Sequence, residues 1–556
     1  MTIQHRVKEF IQAVTLNTVD FKLEVPTQAS FGHYSTNLAL VLAKKEGKSS
    51  LEVAKELVDK LEKADDGKLF KKIEVAGPGF VNFWLNPEVL ATEFKKFNPE
   101  KLPKSGNKEK VIIEFSSPNI AKPMHVGHLR STIIGDSLAR IYEALNFRVI
   151  RWNYLGDWGT QFGKLIAAYK KWGSEESLEK DPINHLLQLY VRFTKEIEGD
   201  KDLEQLGRDE FKKLEDGNKE NRKLWKKFRQ LSLREFAKTY SNLGIKKFKI
   251  EKGESDYQKN LPGVVKELKE KNIAKKSEGA LIIELKDLPP ALIQKSDGAS
   301  LYFTREIAAL EDRSAQAQKI FYVVGNEQSL HFQQLQAVSE LIKLPIKIEH
   351  IKYGLVLNEE GKKISTRKGE AIQLSELLDK AVEKAKIIVS KKNPSLKEDQ
   401  INSIANAVGI GAIKFNDLKE NRVSDIRFDW DKMLDINGDS GPYLQYTYAR
   451  LNSILQKGGK QANNAEELKE NMEISIVKKL LDFPDVVMLC QESNLTSHLA
   501  KHLLDLAHTL NSYYESVPVL SAPKDKKSAR LYLVKKANQV LEAGLCLLGI
   551  DTPGQI

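Results

Sequence analysis

His125-Val126-Gly127-His128 sets two imidazoles on either side of a glycine, directly ahead of a run of apolar residues at helical spacing. The start of a helix attracts anions, because its first backbone N–H groups are unpaired and the dipole is positive there. Two histidines at such a start can donate to phosphate oxygens, and Gly127 leaves room for a flat base or ribose to press on the backbone. Taken alone, a four-residue pattern of this kind recurs by chance and reads as two partly exposed histidines at a helix start. A second chemical signal is Gly361-Lys362-Lys363-Ile364-Ser365-Thr366-Arg367-Lys368-Gly369, a glycine-bounded cationic loop. Mobile positive charge suits the neutralisation of a departing pyrophosphate. Without context it is an exposed basic loop.

The elements around these residues decide between the readings. Val111 to Phe115 is a short β-branched, apolar run, as expected of a strand buried on both faces. Pro118 and Pro123 forbid helix in the loop that follows. Val126, Leu129, Ile133, Ile134, Leu138, Ile141 and Leu145 then fall on one helical stripe, and Phe147-Arg148-Val149-Ile150 begins another strand. Strand, crossover helix and strand in so short a span predict a parallel pair, with a ligand cleft at the C-terminal strand ends. Ile320 to Val324 is another buried strand, and Gly325 to His331 is the loop at its C-terminal end. Ser296-Asp297-Gly298-Ala299 turns the chain into Tyr302 and an alanine-rich helix.

SSPNIAKPMHVGHLRSTIIGD followed by GDWGTQFG resembles the catalytic core of class I aminoacyl-tRNA synthetases, and more narrowly that of arginyl-tRNA synthetases. His125 to His128 match the family's "HIGH" element. Lys363 to Arg367 match its "KMSKS" loop, with Thr366 where the full pattern has a second lysine. Lys122 stands where a compensating lysine is found in family members that lack it. The resemblance implies that His125, Gly127 and His128 hold ATP, with Lys122, Lys363 and Ser365 serving its phosphates. It implies that Glu114 and Asn119 anchor the α-amino end of L-arginine, and that Tyr302 and Glu306 face its guanidinium with Gln328 nearby. A planar guanidinium suits a carboxylate in fork geometry. The family commonly has Asp where Glu306 stands; a carboxylate in the first turn of a helix also complements the dipole. Mg²⁺ is expected with ATP, without a dedicated protein cage and with no other metal site.

The same resemblance extends to a multidomain fold. Residues 1–100 are read as a small α+β N-terminal domain that contacts tRNA, with Phe80, Phe83 and Trp84 as core. Residues 101–425 are read as a Rossmann-type α/β catalytic domain with a parallel sheet and a charged helical insertion at about 165–285. Residues 426–556 are read as an all-α anticodon-binding domain. Across 556 residues, Lys+Arg 87 against Asp+Glu 76 gives +11, which points to a polyanionic partner, here tRNA(Arg). Cys490 and Cys546 lie in apolar helical runs and read as reduced core residues, not a zinc site or disulfide framework. No secretory signal or membrane span is evident, so a cytoplasmic enzyme is expected, acting as a monomer. Gly159 to Leu165 imitates a P-loop but is one residue short and lacks the final Ser/Thr. The expected reaction is ATP-dependent ligation of L-arginine to tRNA. The rival readings are a class I synthetase of other specificity, a catalytically silent tRNA-binding paralogue, and a small-molecule nucleotidyltransferase, which would not need two flanking tRNA-type domains.

Overall fold

The computed structural model describes residues 2–556 except 17–18, 27, 66, 296–301, 359, 363–371, 460 and 462–464, and excludes the side chain of residue 29. At its centre is a five-stranded, all-parallel sheet. Its strands, in spatial order, are Lys347–His350, Lys319–Tyr322, Lys110–Glu114, Arg148–Leu155 and Ile250–Gly253. The middle strand alternates between two cores. Val111, Ile113 and Phe115 point into one, with the helix Val126–Ala144. Ile112 points into the other, with Trp152, Tyr322, Phe303 and Ile307. The period-2 geometry of a strand thus splits one apolar run between helices on both faces.

Val126–Ala144 is buried around nearly its whole circumference, not along one stripe: Arg130, Ser131, Thr132, Gly135, Asp136 and Ser137 are covered together with the apolar positions. Gly135 is required here, because a Cβ would come within 2.2 Å of the Phe115 ring. The buried polar groups are paired. Arg130 clasps Asp417 through Nε and Nη2, each 3.0 Å from a carboxylate oxygen, and donates through Nη1 to the Ser424 carbonyl at 2.9 Å. Ser137 Oγ donates to the Leu547 carbonyl at 3.0 Å, and Tyr142 Oη donates to Asn494 Oδ1 at 2.9 Å.

The charged stretch after Gly163 is not one insertion. Helices from Thr160–Trp172 to Lys219–Asn242 lie outside the sheet. The chain then returns to the sheet as Ile250–Gly253, with Ile250 opposite Trp152, and leaves again into the antiparallel strands Ala274–Ser277, Ala280–Leu285 and Leu288–Gln294. The returning strand is short, lies at the sheet edge and carries Glu251 and Lys252, so it has little hydrophobic pattern to mark it.

The N-terminal region pairs four antiparallel strands with helices, as expected of an α+β unit. Phe83 is core, whereas Phe80 is 38% exposed, a departure from its expected burial. The C-terminal region is helical: Gly441–Gly458, Asn471–Ser493, Ser497–Ser516 and Lys524–Leu547. Cys490 is buried there, but Cys546 is exposed on the outer face of its helix, so the core reading holds for one cysteine only. The N-terminal unit rests on this bundle through Phe94 against Tyr532, ring centroids 5.5 Å apart, and through Tyr34 Oη donating to Asp482 at 3.2 Å.

Removing one member of a buried ion pair strands the other. Asp417→Ala is expected to destabilise the chain by about 3 kcal/mol, read as a lower urea midpoint. An unchanged midpoint would show that Arg130 finds other partners.

Candidate active site

The loop from Ser116 to Met124 leaves the C-terminal end of the middle strand with three non-glycine residues at positive φ: Ser116 at 73°, Ser117 at 48° and Ala121 at 62°. Each costs on the order of 1–3 kcal/mol and persists only where its surroundings hold it. They do so here. The Ser116 amide donates to Ser131 Oγ at 2.9 Å, Ser117 to Asn153 Oδ1 at 3.2 Å and Ala121 to Ser232 Oγ at 3.0 Å. Gly156 and this loop exchange backbone bonds at 3.1 Å through Pro118 and Ile120. Asn119 Oδ1 lies 2.1 Å from where a Cβ at position 156 would stand, so only glycine leaves room for it.

The two histidines cap their own helix. His125 Nδ1 accepts from the Gly127 amide at 3.0 Å, and His128 Nδ1 accepts from the His125 amide at 3.1 Å; the rings are 4.0 Å apart. A ring nitrogen that accepts carries no proton, so each neutral imidazole presents its Nε2–H as donor. Burial and the neighbouring His125 push the His128 pKa down to about 3. A Cβ at Gly127 would stand 2.7 Å from the His125 ring, so this glycine makes room for the capping imidazole.

A cleft of about 470 Å³ opens beside this helix start, at the strands' C-terminal ends. Of the expected residues it gathers Asn119, His125, Gly127, His128 and Gln328. Lys122 lies outside its lining, with its ammonium 5.0 Å from the centre of the Tyr190 ring. Lys363 and Ser365 lie outside the described residues, as does Asp297. The chain just beyond the cationic loop is nonetheless tied to the histidines: Val126 donates to the Ile372 carbonyl at 3.1 Å and Leu374 to the Met124 carbonyl at 2.8 Å.

Glu114, Tyr302 and Glu306 form a separate, deeper group. Glu114 ends the middle strand, opposite Tyr322 on one side and Trp152 on the other. Its carboxylate meets Arg313 at 2.5 Å and feels the charge of Glu306, so it lies with Glu306 and Arg313, whereas Asn119 is in the cleft. Glu306 is 2% exposed; the Tyr302 hydroxyl donates to it, and Oε1 has no hydrogen-bond partner among the described residues. Its burial excludes the reading of a surface carboxylate that merely complements the helix dipole. Tyr302 keeps 46% of its surface open. Glu254 faces Arg305 at 3.9 Å. Burial raises both Glu114 and Glu254 to about 7, against the opposing charges of Arg313 and Arg305. Glu254 and Arg313 were not anticipated from sequence. The one available signal was Arg313 two helical turns beyond Glu306, on the same face of Tyr302–Ser314.

Such an arrangement has the chemistry to bind a nucleoside triphosphate at the helix start and a cationic group against the buried carboxylates. Comparison with known proteins covers nearly the whole chain. Residues 94–430 match the family described as tRNA synthetases class I (R), catalytic domain; residues 444–556 match the DALR anticodon binding domain, and residues 1–85 the arginyl tRNA synthetase N terminal domain. An arginine–tRNA ligase of Enterococcus faecalis is 43% identical over 558 residues, covering 98% of this chain and 97% of the relative. One from Fusobacterium nucleatum is 40% identical over 540 residues, covering 95% and 94%. The arginyl-tRNA synthetase structure from Thermus thermophilus superposes with a TM-score of 0.85 at 27% identity, covering 100% of both chains. That from Plasmodium falciparum gives 0.84 at 28%, covering 100% of this chain and 99% of the other. With its parallel-sheet core, its HIGH-type helix start and matches across all three regions, the chain belongs to the arginyl-tRNA synthetase family of class I aminoacyl-tRNA synthetases.

Proposed function

We propose that this chain is an arginine–tRNA ligase, with the cleft at His125 and His128 taking ATP and the chamber at Glu306 taking the arginine side chain. The observation that carries the specificity is the Glu306 carboxylate. It is buried, it receives the Tyr302 hydroxyl, and no cation of the chain pairs with it among the described residues. Its neighbours Glu114 and Glu254 each face an arginine already. A buried carboxylate without a counter-charge is costly unless a ligand supplies one. This also disfavours a class I synthetase for a neutral amino acid, and intact, preorganised His125 and His128 disfavour a silent paralogue.

In the first step the arginine carboxylate forms a bond to the α-phosphorus of ATP, and the bond to the β-phosphate oxygen breaks, releasing pyrophosphate. In the second, the 2′-OH of the tRNA's terminal adenosine attacks the acyl carbon and AMP leaves. The protein's contribution is positioning and charge stabilisation. The Nε2–H groups of His125 and His128 would donate to phosphate oxygens, and Asn119 and Gln328 would orient the α-amino and carboxylate groups at the mouth of the chamber. Lys122, Lys363 and Ser365 are assigned to the phosphates by the family motif. Mg²⁺ would arrive on the triphosphate and offset its charge. tRNA(Arg) is the macromolecular partner, and the enzyme is read as a cytoplasmic monomer.

Aminoacylation of unfractionated tRNA with each of the twenty amino acids tests the activity; charging by any amino acid other than arginine as the preferred one would overturn it. Glu306→Gln keeps size and removes charge, and is expected to raise the KM for arginine by about tenfold or more while leaving the KM for ATP near the parent value. Glu306→Asp is expected to be tolerated better.

Ionised carboxylates bind the guanidinium, and Glu114 and Glu254 are about half protonated near pH 7 in the substrate-free chain. The KM for arginine should therefore fall as pH rises from about 6 to about 8 and level off above. A KM that rises over this window would exclude both groups.

His128 remains neutral well below pH 6, since its pKa is depressed to about 3. His125→Ala and His128→Ala are expected to lower kcat for adenylate formation about tenfold or more. In the parent, the His128 ring signals in NMR should not titrate between about pH 5 and about pH 8. A midpoint near 6.5 would remove the tautomer argument.

A further inference from the structure

Arg313 has no role in the reaction as described so far. Its side chain is completely buried at the end of Tyr302–Ser314. Its guanidinium lies 4.7 Å from the Tyr154 ring centre, 5.3 Å from Trp152 and 5.5 Å from Tyr322, and Nη2 is 2.5 Å from Glu114 Oε2. A planar, weakly hydrated cation against aromatic faces is what such a cage accommodates, and a compact ammonium would not fill it. The same helix carries Glu306, so Glu114 stands between a cation of the chain and the lone carboxylate, both charges acting on it. Among the described residues Arg313 meets Glu114 and Arg305 faces Glu254, while Glu306 Oε1 has no hydrogen-bond partner.

We propose that Arg313 is a positioning residue for substrate specificity, a guanidinium built into the chain that fixes the Glu114 carboxylate beside the space that the substrate guanidinium takes against Glu306. Two carboxylates in one buried space share a proton when no cation holds them apart in charge. Arg313 opposes that sharing by favouring the charged form of Glu114, against burial and the charge of Glu306. The groups facing the pair come from every element around it: Tyr154 from Arg148–Leu155, Tyr322 from Lys319–Tyr322, Tyr257 from the turn Glu254–Asn260, and Tyr302 and Glu306 from its own helix. Asp312 is occupied elsewhere, by Lys252 at 2.6 Å and the Tyr257 hydroxyl at 2.7 Å.

The inference rests on the arginine assignment above, and the test separates the two. Steady-state aminoacylation by the full chain would be measured for Arg313→Met, Arg313→Lys and Glu306→Gln from about pH 6.5 to about pH 8.5, with ATP affinity as the control for an intact fold. Arg313→Met is expected to raise the KM for arginine about tenfold or more at pH 7, and to recover most of that loss at the alkaline end, where Glu114 ionises without help. Arg313→Lys keeps the charge and loses the planar guanidinium, so its KM for arginine should lie between parent and Arg313→Met. A loss in Arg313→Met that is equal at every pH would make Arg313 a structural pin and overturn the proposal. So would an unchanged KM. Should Arg313→Met fail to bind ATP, Arg313→Lys decides: a KM and pH profile matching the parent overturns the proposal. An unaffected Glu306→Gln would instead overturn the arginine assignment itself.

Discussion

The structure depends on one helix having no free side. Val126–Ala144 carries the histidines at its first turn, so its placement sets the nucleotide cleft. It lies against the parallel sheet on one face, while Ser137 and Tyr142 bond into the C-terminal helices and Arg140 reaches the Gly244 carbonyl at the end of the helical insertion. A helix buried this completely must satisfy its polar side chains from within the protein. The consequence is a set of long-range bonds that tie the cleft to the helical insertion and to the C-terminal helices. The most demanding of them joins Arg130 to Asp417, because neither charge has access to water.

Two neighbouring regions differ in electrostatics. The cleft at the helix start is lined by polar side chains and backbone together with Arg130 and Glu327, and burial keeps its His128 neutral while Nδ1 accepts from the backbone. The group around Glu306 gathers carboxylates largely withdrawn from water, with Glu114 and Glu306 buried. Among the described residues Glu114 and Glu254 each face an arginine, and Glu306 Oε1 has no hydrogen-bond partner.

Strain and close approach mark the boundary between the two. Ser116, Ser117 and Ala121 at positive φ and the Gly156–Asn119 contact all fall within the turn that separates Glu114 from His125. The loop carries Asn119 toward the cleft while Glu114, five residues earlier, stays below with Arg313. Residues close in sequence are thereby sent to different regions.

The α/β core, the helix start with its histidines and the helical C-terminal region were legible in sequence, because they rest on local periodicity and on motifs whose residues are consecutive. Glu306 could be named for the same reason. What the sequence could not show was any pairing that depends on distance across the fold. The strand Ile250–Gly253 was hidden within a charged stretch, since four residues at a sheet edge leave almost no pattern. The family resemblance grouped Glu114 with Asn119; in the structure the alternation of its strand turns Glu114 toward the face where Arg313 and Glu306 lie, on a helix nearly two hundred residues away. Sequence determined which chemical groups are present and which local elements carry them. Tertiary structure decided which charges answer one another, because burial and Coulomb interaction act through space and take no account of order along the chain.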